Sequence, residues 1–170
     1  MLLLQLLIFL FLGLICYQDM RYHAVYWIYF PVLSVLLFFL KKDYTGFSIA
    51  LTESYYGILF IVVQLFLLWL YFSMKNKRLV NITRNYLGLG DILFLLAIAF
   101  YLSPVNYILF YVGSLIIVLI YTLTQQVLLK KVNPEIPLAG LQALILGVFL
   151  TFSIINPSLK LYTDSWIYGF

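Results

Sequence analysis

The chain has 170 residues, of which 65% are hydrophobic and 9% charged, and its mean hydropathy is +1.08. A soluble domain is about a quarter charged, and no single core of this length hides so much apolar surface, so a soluble globular protein is excluded. The formal charge of +4 is read as loop topology, with no nucleic-acid partner expected, and the lone cysteine, Cys16, excludes an internal disulfide and any multi-cysteine metal site.

The composition predicts an all-α integral membrane protein, a single bundle over residues 1–170. A spanning helix needs about 20 apolar residues, and six stretches approach that length: about 2–17, 24–40, 55–74, 92–103, 107–129 and 138–156. The first, "MLLLQLLIFLFLGLICYQ", has no basic leading region and no small-x-small cleavage site, so it reads as a retained span rather than a cleaved signal. The first and fourth are short. They reach full length only by taking in Gln18 and Asp19 in one case and Gly90 and Asp91 in the other. "KKDYTGFSIALTES" (41–54) reads as a loop, as does "KNKRLVNITRNYLGLG" (75–90). The tail "NPSLKLYTDSWIYGF" is amphipathic enough to lie on an interface.

Six spans make the connections alternate between sides. One side receives Arg21, Lys75, Lys77, Arg78, Arg84, Lys130 and Lys131, seven of the ten basic residues; Lys41, Lys42 and Lys160 fall on the other. The positive-inside rule makes the first side cytoplasmic and puts both termini outside. Tyr26, Trp27, Tyr55, Tyr56, Tyr71, Tyr162 and Trp166 gather near the expected boundaries, as interfacial belts do.

There are six acidic residues. Asp43, Glu53 and Asp164 are expected outside, and Asp19, Asp91 and Glu135 on the cytoplasmic side. Asp19 and Asp91 lie 72 positions apart in sequence but at one membrane depth on one side. Two carboxylates that approach each other in a restricted dielectric do not both ionise easily, so one keeps a proton. An aspartyl hydrolase needs that arrangement, because one carboxylate takes a proton from water while the other acid polarises the carbonyl. Gly88 and Gly90, without Cβ atoms, leave a backbone edge along which an extended peptide can lie. Structural roles are available too. Asp91, after a glycine and before an apolar helix, is a favoured N-cap worth about 1 kcal/mol; Asp19 reads as an interfacial loop residue beside Arg21, itself a topology determinant. His23 has no second ligand at metal-binding spacing, and no metal or cofactor is expected.

The order of these motifs resembles the type IV prepilin peptidase family. "DMRYHAVYW" matches that family's first motif at Asp19, Met20 and Arg21, with His23 at a usually basic position and Val25 at an aliphatic one. Tyr26 and Trp27 stand where the family has Pro-Asn. The second motif, G-x-G-D, is intact as Gly88-Leu89-Gly90-Asp91, and "EIPLAGLQALILG" is similar to the run that opens the family's last helix, at Ile136, Pro137, Leu138 and Ala139. The resemblance implies a membrane aspartyl endopeptidase of the bacterial cytoplasmic (inner) membrane, with Asp19 and Asp91 as the catalytic pair and Gly88, Gly90, Arg21 and Pro137 in support. Its substrates would be prepilin or pseudopilin precursors of a type IV pilus or type II secretion system, cut on the cytoplasmic side after a short basic leader. Many members carry a cytoplasmic domain with two cysteine pairs and methylate the new N-terminus; the first inter-span segment here has no room for one, so no methyltransferase activity is expected.

Two further expectations come from the residues. A helix dipole at Asp91 would make it the base and Asp19 the acid. A basic cytoplasmic rim does not attract a basic leader, so anionic lipid headgroups are expected to hold the leader, with Glu135 contributing locally. Presenilin-like and signal-peptide-peptidase-like proteases also use GxGD, but their Tyr-Asp and Pro-Ala-Leu motifs meet Tyr-Gln-Asp and Pro-Leu-Ala here. The alternative outside enzymes is a small transporter or assembly scaffold in which the two aspartates serve an ion path or a structural role.

Overall fold

The computed structural model describes residues 1–77, 79, 81, 83, 87–129, 136–156 and 158–165. Among them are six helices: α1 (Leu2–Tyr22), α2 (Tyr29–Thr45), α3 (Phe47–Asn76), α4 (Leu89–Ile98), α5 (Pro104–Leu129) and α6 (Leu138–Ile155). The fold is all-α, and α1, α3, α5 and α6 are long and apolar enough to cross a membrane. The outward faces carry exposed Leu, Ile, Val and Phe, such as Leu10, Val62, Phe66 and Ile120. Lipid is the solvent those side chains require.

Helix ends follow local chemistry. α1 stops at His23, which takes a left-handed conformation (φ 49°) and returns its amide to the Asp19 carbonyl. Pro31 sits in the first turn of α2, where its missing N–H costs nothing. Between α2 and α3 only Gly46 intervenes, at φ 86° and ψ 161°, a conformation open essentially to glycine alone. The expected 41–54 loop is therefore a helical hairpin, because one glycine suffices to reverse the chain. α3 continues through it for 30 residues, about 45 Å.

The expected fourth span, 92–103, is the larger correction. α4 has 10 residues, starting at Leu89, and rises about 15 Å, half a hydrocarbon layer. It packs against α2, α3 and α6, with Phe94, Leu95, Ala97 and Ile98 buried. A helix end shut off from water leaves carbonyls that lipid cannot satisfy, and the chain supplies partners there. Lys41 Nζ donates to the Leu102 carbonyl at 3.1 Å, and the Tyr107 hydroxyl donates to the Leu95 carbonyl at 3.0 Å. Lys41, expected in an outer loop, is fully buried and paired with Glu53 at 2.8 Å.

The tail closes the same end. Asp164 accepts hydrogen bonds from the Ser103 hydroxyl and the Val105 amide, capping α5, while the Asn106 side chain donates to the carbonyls of Lys160, Leu161 and Thr163. Leu161 is buried and Tyr162 stacks on Tyr44 at 4.4 Å. The opposite end of the bundle gathers the C-terminus of α1 and the N-termini of α4 and α6.

Candidate active site

α6 organises that end. Its N-cap, Pro137, is buried, and the first-turn amides of a helix have no partner within the helix. Two consecutive ones are taken by the two aspartates. Asp91 Oδ1 accepts from the Ala139 amide at 2.9 Å, and Asp19 Oδ2 accepts from the Gly140 amide at 2.6 Å. Adjacent backbone nitrogens lie within about 3.6 Å, so the two carboxylate oxygens are at most about 9 Å apart. The two groups interact electrostatically, and His23 interacts with Asp19.

Asp19 reaches this position because α1 packs closely on α6. The approach depends on Gly140: a Cβ there would stand 3.0 Å from the Asp19 Cβ and 3.3 Å from the Cys16 carbonyl oxygen. Asp19 itself is only 8% exposed. Asp91 is fixed from two sides. Its Oδ2 accepts from the Gly88 amide at 3.2 Å, while Oδ1 goes to α6. The expected N-cap is thus corrected: Gly88 is the N-cap and Asp91 the third helical residue, reaching back over the first turn. Because the backbone turns helical at Leu89, the carboxylate is free to serve both helices.

An open cleft of about 1080 Å³ lies over the pair. Asp19, Asp91, His23, Gly88 and Gly90 line one part, and Leu115, Val118 and Leu119 of α5 form an apolar wall. The cleft is therefore suited to a chain segment that is polar where it meets the acids and greasy beside them. A smaller apolar cavity of about 280 Å³, which also touches Leu115 and Leu138, continues between α3 and α5.

The expected supporting residues divide. Gly88 and Gly90 border the cleft, and Pro137 sets the start of α6. Arg21 is exposed and lies over the rings of Tyr17 and Tyr22, hydrogen-bonded to the Tyr17 hydroxyl; it is not part of the cleft lining. Tyr26 and Trp27, each 68% exposed, lie in the turn before α2. Glu135 lies outside the described residues. Gly140 and the Ala139 amide are site components that sequence reasoning missed. Their signal was the pair of small residues after Leu138, which permits close backbone approach. α6 gives each acid one amide, and Asp91 takes a second from Gly88 at the start of its own helix. Among the described residues no three His, Cys, Asp or Glu side chains gather to hold a metal.

Compared with protein-family models, curated proteins and solved structures, the chain shows no match.

Proposed function

We propose that this chain is a membrane aspartyl endopeptidase whose catalytic pair is Asp19 and Asp91. One observation carries the reading: two acids far apart in sequence are brought to consecutive amides of one helix, beneath an open cleft. Capping alone does not account for it. Asp91 already caps α4 through Gly88, and Asp19 stands at a helix C-terminus, where a negative charge is unfavourable.

In the proposed reaction one proton is shared between the carboxylates. The ionised member takes a proton from a water molecule as that water attacks the scissile carbonyl, and the protonated member donates to the carbonyl oxygen. Collapse of the tetrahedral intermediate breaks the C–N bond, and the proton gained from water passes to the leaving amine. The amides of Ala139 and Gly140 hold the two groups in register and stabilise whichever is ionised. Substrate would lie along Gly88 and Gly90, with its apolar part against α5.

The substrates in this reading are prepilin-like or pseudopilin-like precursors, a short basic leader followed by a hydrophobic helix. The acid end would face the cytoplasm of a bacterial cell, with both termini outside and no methyl transfer accompanying cleavage. Arg21, Lys75 and Lys77, all exposed and all at the acid end, support that orientation. Leader charges would be met by anionic headgroups at this rim. Co-expression with candidate precursors tests the proposal: wild type shortens the precursor, and Asp19→Asn and Asp91→Asn do not. Processing that persists in both variants defeats it.

A further inference from the structure

A second cavity, of about 310 Å³, lies at the end of the bundle opposite the aspartates. It is enclosed by the start of α1, the end of α2, the end of α6 and the returning tail. Its upper lining is polar: Tyr44, Tyr101, Tyr162 and Lys160. Below them the lining turns apolar, with Ile8 and Leu150 buried in the core and Ile154 facing outward. Polar groups thus sit where the helices end and apolar groups where they are immersed. That gradient matches a molecule with a polar head and a greasy chain.

Two of its polar side chains, Tyr101 and Lys160, make no hydrogen bond or ion pair through their polar ends among the described residues. Tyr101 is 2% exposed, yet its hydroxyl makes no hydrogen bond among the described residues and borders the cavity. That hydroxyl lies close enough to Tyr44 and Tyr162 to interact with them electrostatically and is left free to donate into the cavity. The neighbouring hydroxyl of Tyr44 is a contrast, since it accepts from Gln5. Lys160, held in place through its own backbone carbonyl by Asn106, has no ion pair among the described residues. The nearby acid Asp164 is engaged by Ser103 and Val105, and Glu53 by Lys41. A cation and a hydroxyl donor therefore line one space, with no anion among the described residues paired to either.

We infer that this cavity is a binding site for a glycerophospholipid, its phosphate held by Lys160 and the Tyr101 hydroxyl and one acyl chain descending between α1 and α6. The helix ends place the polar lining at the level of the headgroups, where phosphate is the abundant anion. The volume suffices for a headgroup and the first carbons of one chain, and the rest of that chain lies along the apolar faces of α1 and α6. The tail, pinned over this end by Asn106 and Ser103, forms the outer wall. This site is independent of peptidase activity.

The test uses full-length protein, purified in detergent and stripped of lipid, with binding read by native mass spectrometry. Three probes separate the sources of affinity: phosphatidylglycerol, diacylglycerol with the same chains, and glycerol 3-phosphate. The phospholipid is expected to bind one per chain, about tenfold or more tighter than either of the others. Tyr101→Phe and Lys160→Gln are each expected to weaken the phospholipid by about tenfold while leaving diacylglycerol unchanged. Lys160 is exposed, so its variant reports on binding even if Tyr101→Phe disturbs the fold. Equal binding of phospholipid and diacylglycerol overturns the inference, reducing the site to an apolar groove. Glycerol phosphate binding as tightly as the phospholipid overturns it in favour of a free-phosphate site, and wild-type affinity in both variants overturns it outright.

Discussion

Asp19 and Gly140 meet across the α1–α6 interface with no space for another atom: the amide of one donates to the carboxylate of the other at 2.6 Å, and a Cβ on residue 140 would stand 3.0 Å from the Asp19 Cβ. Gly140→Ala therefore moves α1 or α6 by a few tenths of an ångström. Stability should change little, because the crowding is partly offset by the better helix propensity of alanine, about 1 kcal/mol. Precursor cleavage should fall by about tenfold, since misplacement of reacting groups by roughly 1 Å costs about a hundredfold. A melting curve and a cleavage assay on the same preparation check the split. Full activity in Gly140→Ala would show that the α1–α6 spacing does not set the position of Asp19 for catalysis.

The two motif glycines should behave differently from each other. A Cβ on residue 88 would lie 3.0 Å from Asp91 Oδ2, so Gly88→Ala pushes the carboxylate away from its amide partner. At residue 90 the nearest neighbour is Phe30 Cζ at 3.7 Å, an ordinary contact. Gly90→Ala should leave the melting temperature unchanged or raise it slightly, through the better helix propensity of alanine, and still slow cleavage, mainly through a raised KM, if substrate backbone lies along that edge. A Gly90→Ala enzyme with wild-type KM and kcat would remove Gly90 from the substrate path.

An acid pair that works with one shared proton has a two-sided pH dependence. Below the range in which the pair holds one proton, both carboxyls are protonated and no base remains; above it both are ionised and no acid remains. The profile of kcat/KM in detergent should therefore be bell-shaped, with the two limbs belonging to the pair rather than to either residue. Asp19→Asn and Asp91→Asn should each lower the rate by roughly 10²–10⁴-fold across the whole range. A profile with a single limb would point to one working carboxylate.

Much of this arrangement was legible because lipid solubility imposes simple rules. The apolar runs marked α1, α3, α5 and α6, and charge counting placed Asp19 and Asp91 at one end without reference to any contact. What stayed hidden depends on distance in space. Nothing local in "IPLAG" says that the amides of Ala139 and Gly140 are destined for residues more than 40 positions away. A hydropathy window does not separate a half-length helix such as α4 from a span, since its missing length is filled by the turn at 99–103. The position of Asp91 within its cap depends on whether the helix starts at residue 89 or 92, a difference that sequence patterns leave unresolved. Lys41 misled for a similar reason. A lysine after an apolar run looks like a loop marker unless its partner, twelve residues on and around a hairpin, is known.

That lysine gives the last prediction. Lys41 is fully buried, its pair with Glu53 is 2.8 Å long, and it also holds the Leu102 carbonyl just beyond the end of α4. Removing one member of such a pair strands the other charge, at a cost of about 3–5 kcal/mol. Glu53→Gln should lower the melting temperature markedly for that reason, although Glu53 lies at the end of the bundle away from the cleft. Replacing both, as Lys41→Met with Glu53→Leu, removes the stranded charge and should recover most of the loss. The recovery should be incomplete, because the Leu102 carbonyl then has no donor from residue 41, leaving a deficit of about 1–3 kcal/mol. Since α4 carries Asp91 at its other end, the double variant should also cleave more slowly than its stability alone explains. Thermal melts of Lys41→Met, Glu53→Leu and the double variant, run as a cycle beside cleavage rates, measure both effects. A double variant as unstable as the sum of its singles would mean that Lys41 and Glu53 stabilise the bundle independently rather than as a pair.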